Sequence, residues 1–249
     1  MRAAWLVAGR ELRAFFLSPV AYTVLTVWLL WCGMHFYVLA VHFSQYAFES
    51  PSMHPLSAFF GGTTLFFMPL LVFVPVMTMR LLAEERQSGT LESLLTAPLS
   101  EWAIILGKYI AALTMWGVMW VPTLLYVWLA SAHGYVDPGE VAASYVGVLG
   151  IGIYYMAIGL MMSAGAKTQI GAALLTFMAL GLLFVIGMGE FLFDDELRRE
   201  LCAYISVWGQ MDTFSKGIID TRYLVLNFSL AVVSLVLATH RLSLRKWST

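Results

Sequence analysis

Apolar and polar positions along this chain fall into long blocks, not short alternations. No Asp, Glu, Lys or Arg occurs between Arg13 and Glu49, nor between Glu49 and Arg80. A helix needs roughly 20 apolar residues, at about 1.5 Å rise each, to cross the hydrocarbon core of a bilayer. Charge-free stretches of this kind predict six membrane-crossing helices: Val20 to Val41, Leu56 to Met79, Tyr109 to Ala130, Val141 to Ser163, Thr168 to Gly189, and Tyr223 to His240. The pattern therefore predicts an all-α polytopic membrane protein. Residues 1–19 lie before the spans and residues 20–249 form the transmembrane domain, with a long loop at 80–108, a second at 190–222 and a tail at 241–249.

Local signals mark several boundaries. Ser18 and Pro19 read as an N-cap and first helical residue, because proline lacks only an N–H that would be unpaired there. Asp137, Pro138 and Glu140 mark the start of the fourth span in the same way. Pro69 and Pro75 are expected to kink the second span and Pro122 the third, each by removing a helix hydrogen bond. Either a hinge or ordinary tolerance of proline in membrane helices fits these positions. Gly159 and Ser163, four residues apart, offer a small-residue face for close helix packing.

Ahead of the first span, Trp5, Ala8, Leu12, Phe15 and Phe16 fall within about 100° of one another on a helical wheel, with Arg2, Arg10 and Arg13 on the other side. This describes a helix lying at the membrane interface with its arginines toward phospholipid headgroups. A ragged extension of the first span is the other reading. The first apolar segment is too long for the core of a signal peptide and no small-residue cleavage site follows it, so it is expected to stay in the mature protein.

Composition narrows the class. Of 249 residues 60% are hydrophobic and 12% charged, against about 25% charged in a soluble domain. A net charge of -1 gives no basic excess for a nucleic-acid partner. Two cysteines exclude a disulfide scaffold and a cysteine-rich metal cluster. With both termini inside, Arg2, Arg10, Arg13, Arg80, Arg86, Lys108, Lys167, Arg241, Arg245 and Lys246 face the cytoplasm. That leaves four of the 14 basic residues outside, the bias expected of an inner-membrane protein.

The loop from Arg80 to Lys108 differs from its surroundings. Glu84, Glu85 and Arg86 end a helix leaving the membrane, Ser88 and Gly89 mark a break, and Thr90 opens a short helix that carries Leu91, Glu92, Leu94 and Leu95 and ends at Pro98. Ser100 caps the helix that re-enters through Trp102, Ile105 and Tyr109. Leucines that fill a partner's groove while Glu85 and Glu92 meet basic groups would make this a docking element. Leucines that pack back onto the bundle would make it a solvated loop.

The run TMRLLAEERQSGTLESLLTAPLSEWAIILGKY resembles the segment between the second and third spans of ABC-transporter permeases of the second exporter class (ABC-2 type), above all the gliding-motility, GldF-like branch. ELRAFFLSPVAYT, PTLLYV and DTFSKGIIDTRYLV agree in order, so the resemblance covers essentially the whole chain. It implies a permease of six helices that pairs with a second copy or a paralogue and is driven by a separate cytosolic ATPase carrying ATP and Mg. It assigns the coupling helix to Glu84, Glu85, Gly89, Thr90, Leu91, Glu92, Leu94 and Leu95. The helix holding Arg10, Arg13 and Phe16 and ending at Pro19 becomes the elbow helix, and residues 190–222 an outer re-entrant segment. Either export of a cargo or force transmission to an envelope partner is compatible with it, and an extracytoplasmic subunit fits both.

The outer stretch is rich in acids, with interspersed Phe191, Leu192, Phe193, Tyr204, Ile205, Val207 and Trp208. A gate and a partner-binding lid both suit it; Asp212, Lys216, Gly217, Asp220 and Arg222 are the gate candidates, or ordinary headgroup-level charges. No phosphate-cradling G-x-x-x-x-G-K-[ST] run occurs, Gly165 to Thr168 coming nearest, so the chain itself is not expected to hydrolyse ATP or to bind a cofactor. His35 and His42 lie seven apart, with His54, His133 and His240 elsewhere. That spacing does not bring two imidazoles into one coordination sphere, and packing is preferred to a soft-metal path.

Overall fold

The computed structural model describes residues 2–45, 55–61, 67–96, 99–133 and 136–246, and these are helical apart from their connections. Helix α1 (Arg2–Leu17) ends one residue before α2 (Pro19–Gln45). Next come α3 (Pro55–Gly61), α4 (Leu70–Thr78), α5 (Arg80–Gln87) and α6 (Thr90–Thr96). Helix α7 (Glu101–Trp120) runs through a 3-10 turn at Val121–Thr123 into α8 (Leu124–His133). The chain ends with α9 (Pro138–Gly165), α10 (Gln169–Met188), α11 (Glu196–Ile205), α12 (Val207–Ser215) and α13 (Thr221–Lys246).

Among the described residues, five stretches are long and apolar enough to cross a membrane: α2, α7 with α8, α9, α10 and α13. Of the kinked second span expected from Leu56 to Met79, two helical parts are described, α3 of 7 residues and α4 of 9. Residues 62–66 between them lie outside the described ones, and the chain turns at Met68 and Pro69, where a kink was expected. Pro69 stands at the N-terminal boundary of α4, where a missing N–H costs nothing, and Pro75 lies within it. Met79 N–H reaches Pro75 O at 2.8 Å, so α4 passes almost unbroken into α5. Pro122 turns α7 into α8 through a tightened turn, not a break.

The caps follow the sequence. Asp137 accepts the Gly139 amide at 2.8 Å, Ser100 accepts that of Ala103 at 3.2 Å, and Thr168 accepts that of Gly171 at 3.1 Å. Each satisfies a backbone donor that the first helical turn leaves unpaired.

Helix α9 is the axis of the bundle: 72% of its apolar window is buried, against 28% for α2 and for α10, which turn most of their surface outward. Small residues allow neighbours to close on it. A Cβ at Gly159 would overlap the Thr78 side chain of α4. One turn on, Ser163 Oγ accepts the amides of Leu82 and Ala83, each at 3.1 Å, and donates to Met79 O at 3.2 Å. These groups are buried, so the serine satisfies backbone donors and an acceptor where α4 gives way to α5. Around the axis, Trp28 of α2 meets Trp120 of α7 edge to face with ring centroids 5.0 Å apart, and Phe60 of α3 meets Tyr145 of α9 at 5.1 Å.

Gly159→Leu is expected to lower the midpoint of thermal unfolding in detergent, by the equivalent of about 1–3 kcal/mol or more for overpacking. Gly181→Ala, where nothing lies within 4 Å of the added carbon, is expected to leave the midpoint unchanged or slightly raise it. Equal midpoints for Gly159→Leu and wild type would show that α4 does not press on α9 at that point.

Candidate functional site

Helix α5 extends α4 beyond the core, and Gly89 ends it with φ +74°, a left-handed conformation that disfavours a side chain. Helix α6 then runs back toward the bundle. Gln87, Ser88, Gly89, Thr90 and Glu92 are exposed at the tip of this hairpin, whereas Leu91 and Leu94 are 9% and 7% exposed and join the core. The leucines expected to fill a partner's groove thus face inward within this chain. The side chain of Leu95, and Pro98, lie outside the described residues.

The base of the hairpin is held by charge. Lys108 of α7 has a side chain only 1% exposed, and its Nζ lies 2.9 Å from Glu11 Oε1 of α1 and 3.0 Å from Glu85 Oε1 of α5. Arg10 Nη2 reaches the same two oxygens, each at 3.0 Å. Two cations and two carboxylates from three helices are therefore neutral as a group, which is how a desolvated ammonium is tolerated. Glu85 Oε2 is buried and has no hydrogen-bond partner among the described residues.

A second tie lies beside the first. Arg80 grips both oxygens of Glu84, at 2.8 and 2.9 Å, and its Nη1 donates to Ser18 Oγ at 2.8 Å, at the junction of α1 and α2. These hydrogen bonds hold the Glu84 carboxyl below the usual carboxylate range. Arg86 donates to Ala166 O at 2.7 Å, at the C-terminus of α9 where carbonyls lack partners. An open cleft of about 350 Å³ lies among these groups, between α1 and α5.

Helix α1 seats Ala4, Val7 and Ala8 in this assembly, pressed against α7 where Gly107 has no side chain. Of the apolar face read from the sequence, Ala8 is buried and Leu12 and Phe15 are half-buried against the core, while Trp5 and Phe16 are exposed; Glu11 points inward with Val7 and Ala8. Arg10 belongs to the ion cluster, Arg13 is exposed, and Pro19 opens α2. Glu11 was legible as the one acid on the Ala4, Val7 and Ala8 face of the helix, and Lys108 as a cation amid Ile105, Tyr109 and Ala112. A charge placed on a buried face calls for a partner, but which one depends on the packing.

At the other end of the bundle, the stretch from 190 to 222 divides in two. No residue of α11 is buried, while α12 buries Val207, Gln210, Met211, Phe214 and Ser215. Phe214 and Met211 occupy the space above Gly147 of α9, and Ser215 that above Gly61 of α3. Gln210 Oε1 accepts from Asn227 Nδ2 of α13 at 3.1 Å, a buried amide pair that sequence reading missed. The gate candidates pair locally: Asp212 with Lys216, and Asp220 with Arg222, which holds Asp220 below the usual carboxylate range. Gly217, at φ +80°, follows the end of α12.

His35 packs against Phe59 with ring centroids 5.2 Å apart, and His54 lies outside the described residues. Among the described residues no three His, Cys, Asp or Glu side chains converge.

In comparison with known families, the model of the ABC-2 family transporter proteins matches residues 13–200. No curated protein matches the chain.

Lys108→Met leaves two carboxylates at the base of the hairpin without their buried cation, and is expected to destabilise the protein by about 3–5 kcal/mol. Adding Glu11→Gln and Glu85→Gln to the same protein is expected to recover most of the loss. Unfolding followed by tryptophan fluorescence in detergent measures both. A triple variant no more stable than Lys108→Met would show that lysine packing, not charge, holds the three helices.

Proposed function

The chain belongs to the ABC-2 family of transporter proteins, and on that premise we propose that it is the six-crossing permease subunit of an ATP-driven exporter in a bacterial inner membrane. Proteins of this family generally pair with a cytosolic ATPase, and most of the chain lies within the match. In this reading the segment from α3 through α4 makes the second crossing, so both termini and the α5–α6 hairpin share one side, and the bias of Lys and Arg toward that side makes it the cytoplasmic one. A second copy or a paralogue forms the other half of the pathway, and ATP and Mg belong to the ATPase.

The observation that carries this reading is the way the hairpin is attached. Its tip, from Gln87 to Glu92, is exposed, while its base is tied to α1 and α7 through Lys108, to the start of α2 through Arg80, and to the end of α9 through Arg86. A push on the tip therefore reaches several membrane helices together. The coupling contact consists of Gly89, Thr90 and Glu92 at the tip, with Leu91 and Leu94 supporting it from inside and Glu84 and Glu85 fixing its base. Discrete arrangements of such packed helices, biased by nucleotide on the partner, would alternate the pathway. Helix α12, held by the Gln210 and Asn227 amides, is the outer gate, and Asp212, Lys216, Gly217, Asp220 and Arg222 shape its ends.

A second reading, in which the same motion pulls on an envelope partner without moving cargo, is favoured by α11. Its Leu197 and Leu201 are 66% and 57% exposed beside charged residues, a surface suited to an extracytoplasmic protein. Cargo accumulation in inverted vesicles selects the first reading. ATPase activity that responds to a bound envelope protein, with no accumulation, selects the second.

Affinity purification in mild detergent is expected to retain an ATPase subunit, and Glu92→Lys to reduce that retention at least tenfold while the protein still inserts and folds. Equal retention by the variant and wild type overturns the docking contact. Ser88→Cys is expected to react with a membrane-impermeant maleimide in inverted vesicles and not in intact cells, and the opposite pattern overturns the topology.

A further inference from the structure

The outward face of α1 repeats itself. Arg2, Trp5 and Leu6 are followed eleven residues later by Arg13, Phe16 and Leu17. Eleven residues make three turns and about 20°, so the two triplets lie almost on one line, about 16 Å apart along the helix. All six side chains are exposed, with Trp5 at 65%, Leu6 at 76% and Leu17 at 84%. Each arginine precedes its aromatic by three residues, which places the two side by side on the helix surface.

The inner face explains the charge of the outer one. Glu11 is the acid of α1, and Lys108 draws it into the buried cluster, leaving the exposed face with arginines and no carboxylate. The face is also fixed at the membrane: only Ser18 separates Leu17 from Pro19, where the spanning helix α2 begins. A cationic face bearing exposed aromatics and leucines at that level matches a negatively charged lipid surface, with guanidinium groups on phosphate and the apolar side chains among the acyl chains.

We propose that α1 is a selective binding surface for anionic phospholipids in the leaflet on the Arg80–Lys108 side, each triplet holding one headgroup. Recognition is by the phosphate and net negative charge of the lipid, and zwitterionic lipid is a poor substitute. Because the inner face of α1 carries Glu11 of the ion cluster, bound lipid also braces the base of the α5–α6 hairpin.

The test is to purify the full chain in a neutral detergent, add equimolar phosphatidylglycerol and phosphatidylcholine, and count retained lipids by native mass spectrometry. Wild type is expected to retain phosphatidylglycerol in preference, in up to two copies that resist removal. Arg2→Gln with Arg13→Gln changes only exposed side chains. It is expected to weaken phosphatidylglycerol binding by about fivefold per arginine and about 25-fold for both, from roughly 1 kcal/mol for each basic residue at a charged surface. Trp5→Ser with Phe16→Ser is expected to weaken both lipids alike. Wild type with no preference, or a double arginine variant with unchanged preference, overturns the proposal. So does a variant that keeps its lipid but loses a protein partner, since the face would then be a protein interface. Lipid preference does not depend on an ATPase, so this experiment and the retention experiment fail separately.

Discussion

An ammonium group with almost no contact with water is the constraint around which one end of this molecule is arranged. Lys108 enters the bundle on α7, and its charge is tolerable there only because Glu11 and Glu85 lie at hydrogen-bonding distance. Those carboxylates in turn share Arg10, which keeps the group neutral. The result is directional as well as electrostatic: α1, a hairpin arm and a long apolar helix meet at one point that cannot be pulled apart cheaply. Replacing the group with well-packed apolar side chains would serve stability equally well. What the ionic version adds is a contact that depends on all three helices being in place.

The rest of the bundle answers a different demand, that buried backbone and polar groups find partners within the protein. Ser163 meets it where α4 passes into α5, and Arg86 meets it at the end of α9. Gln210 and Asn227 pair where α12 enters from the far side. In each case a polar side chain sits where helix geometry is interrupted. These are also the places where the bundle joins segments that do not cross it, so the same groups that stabilise the fold define how its two ends are attached.

Much of this was legible in the residues. The charge-free blocks predicted six spans, of which five stand as long apolar helices among the described residues, and Ser100, Asp137 and Thr168 stand at helix starts because an unpaired first turn requires an acceptor. Gly89 marked the hairpin turn because its backbone is left-handed. The second span was expected to bend at Pro69, and the chain turns at Met68 and Pro69 before α4. Leu91 and Leu94 show what a local pattern leaves open, since apolar residues in a polar loop fit a partner's groove and this chain's own core equally well, and here they are buried.

The amino-acid sequence by itself determined that the chain is helical, that it lies in a membrane, and where most helices begin, because these follow from local properties: runs of apolar side chains, capping residues, proline and glycine. Only the tertiary structure decided that Lys108 meets Glu11 and Glu85, that Gln210 meets Asn227, and that α1 turns Trp5 and Phe16 outward. Each of these joins residues on different helices, and a partner across space is chosen by the packing of whole helices, which no local pattern encodes.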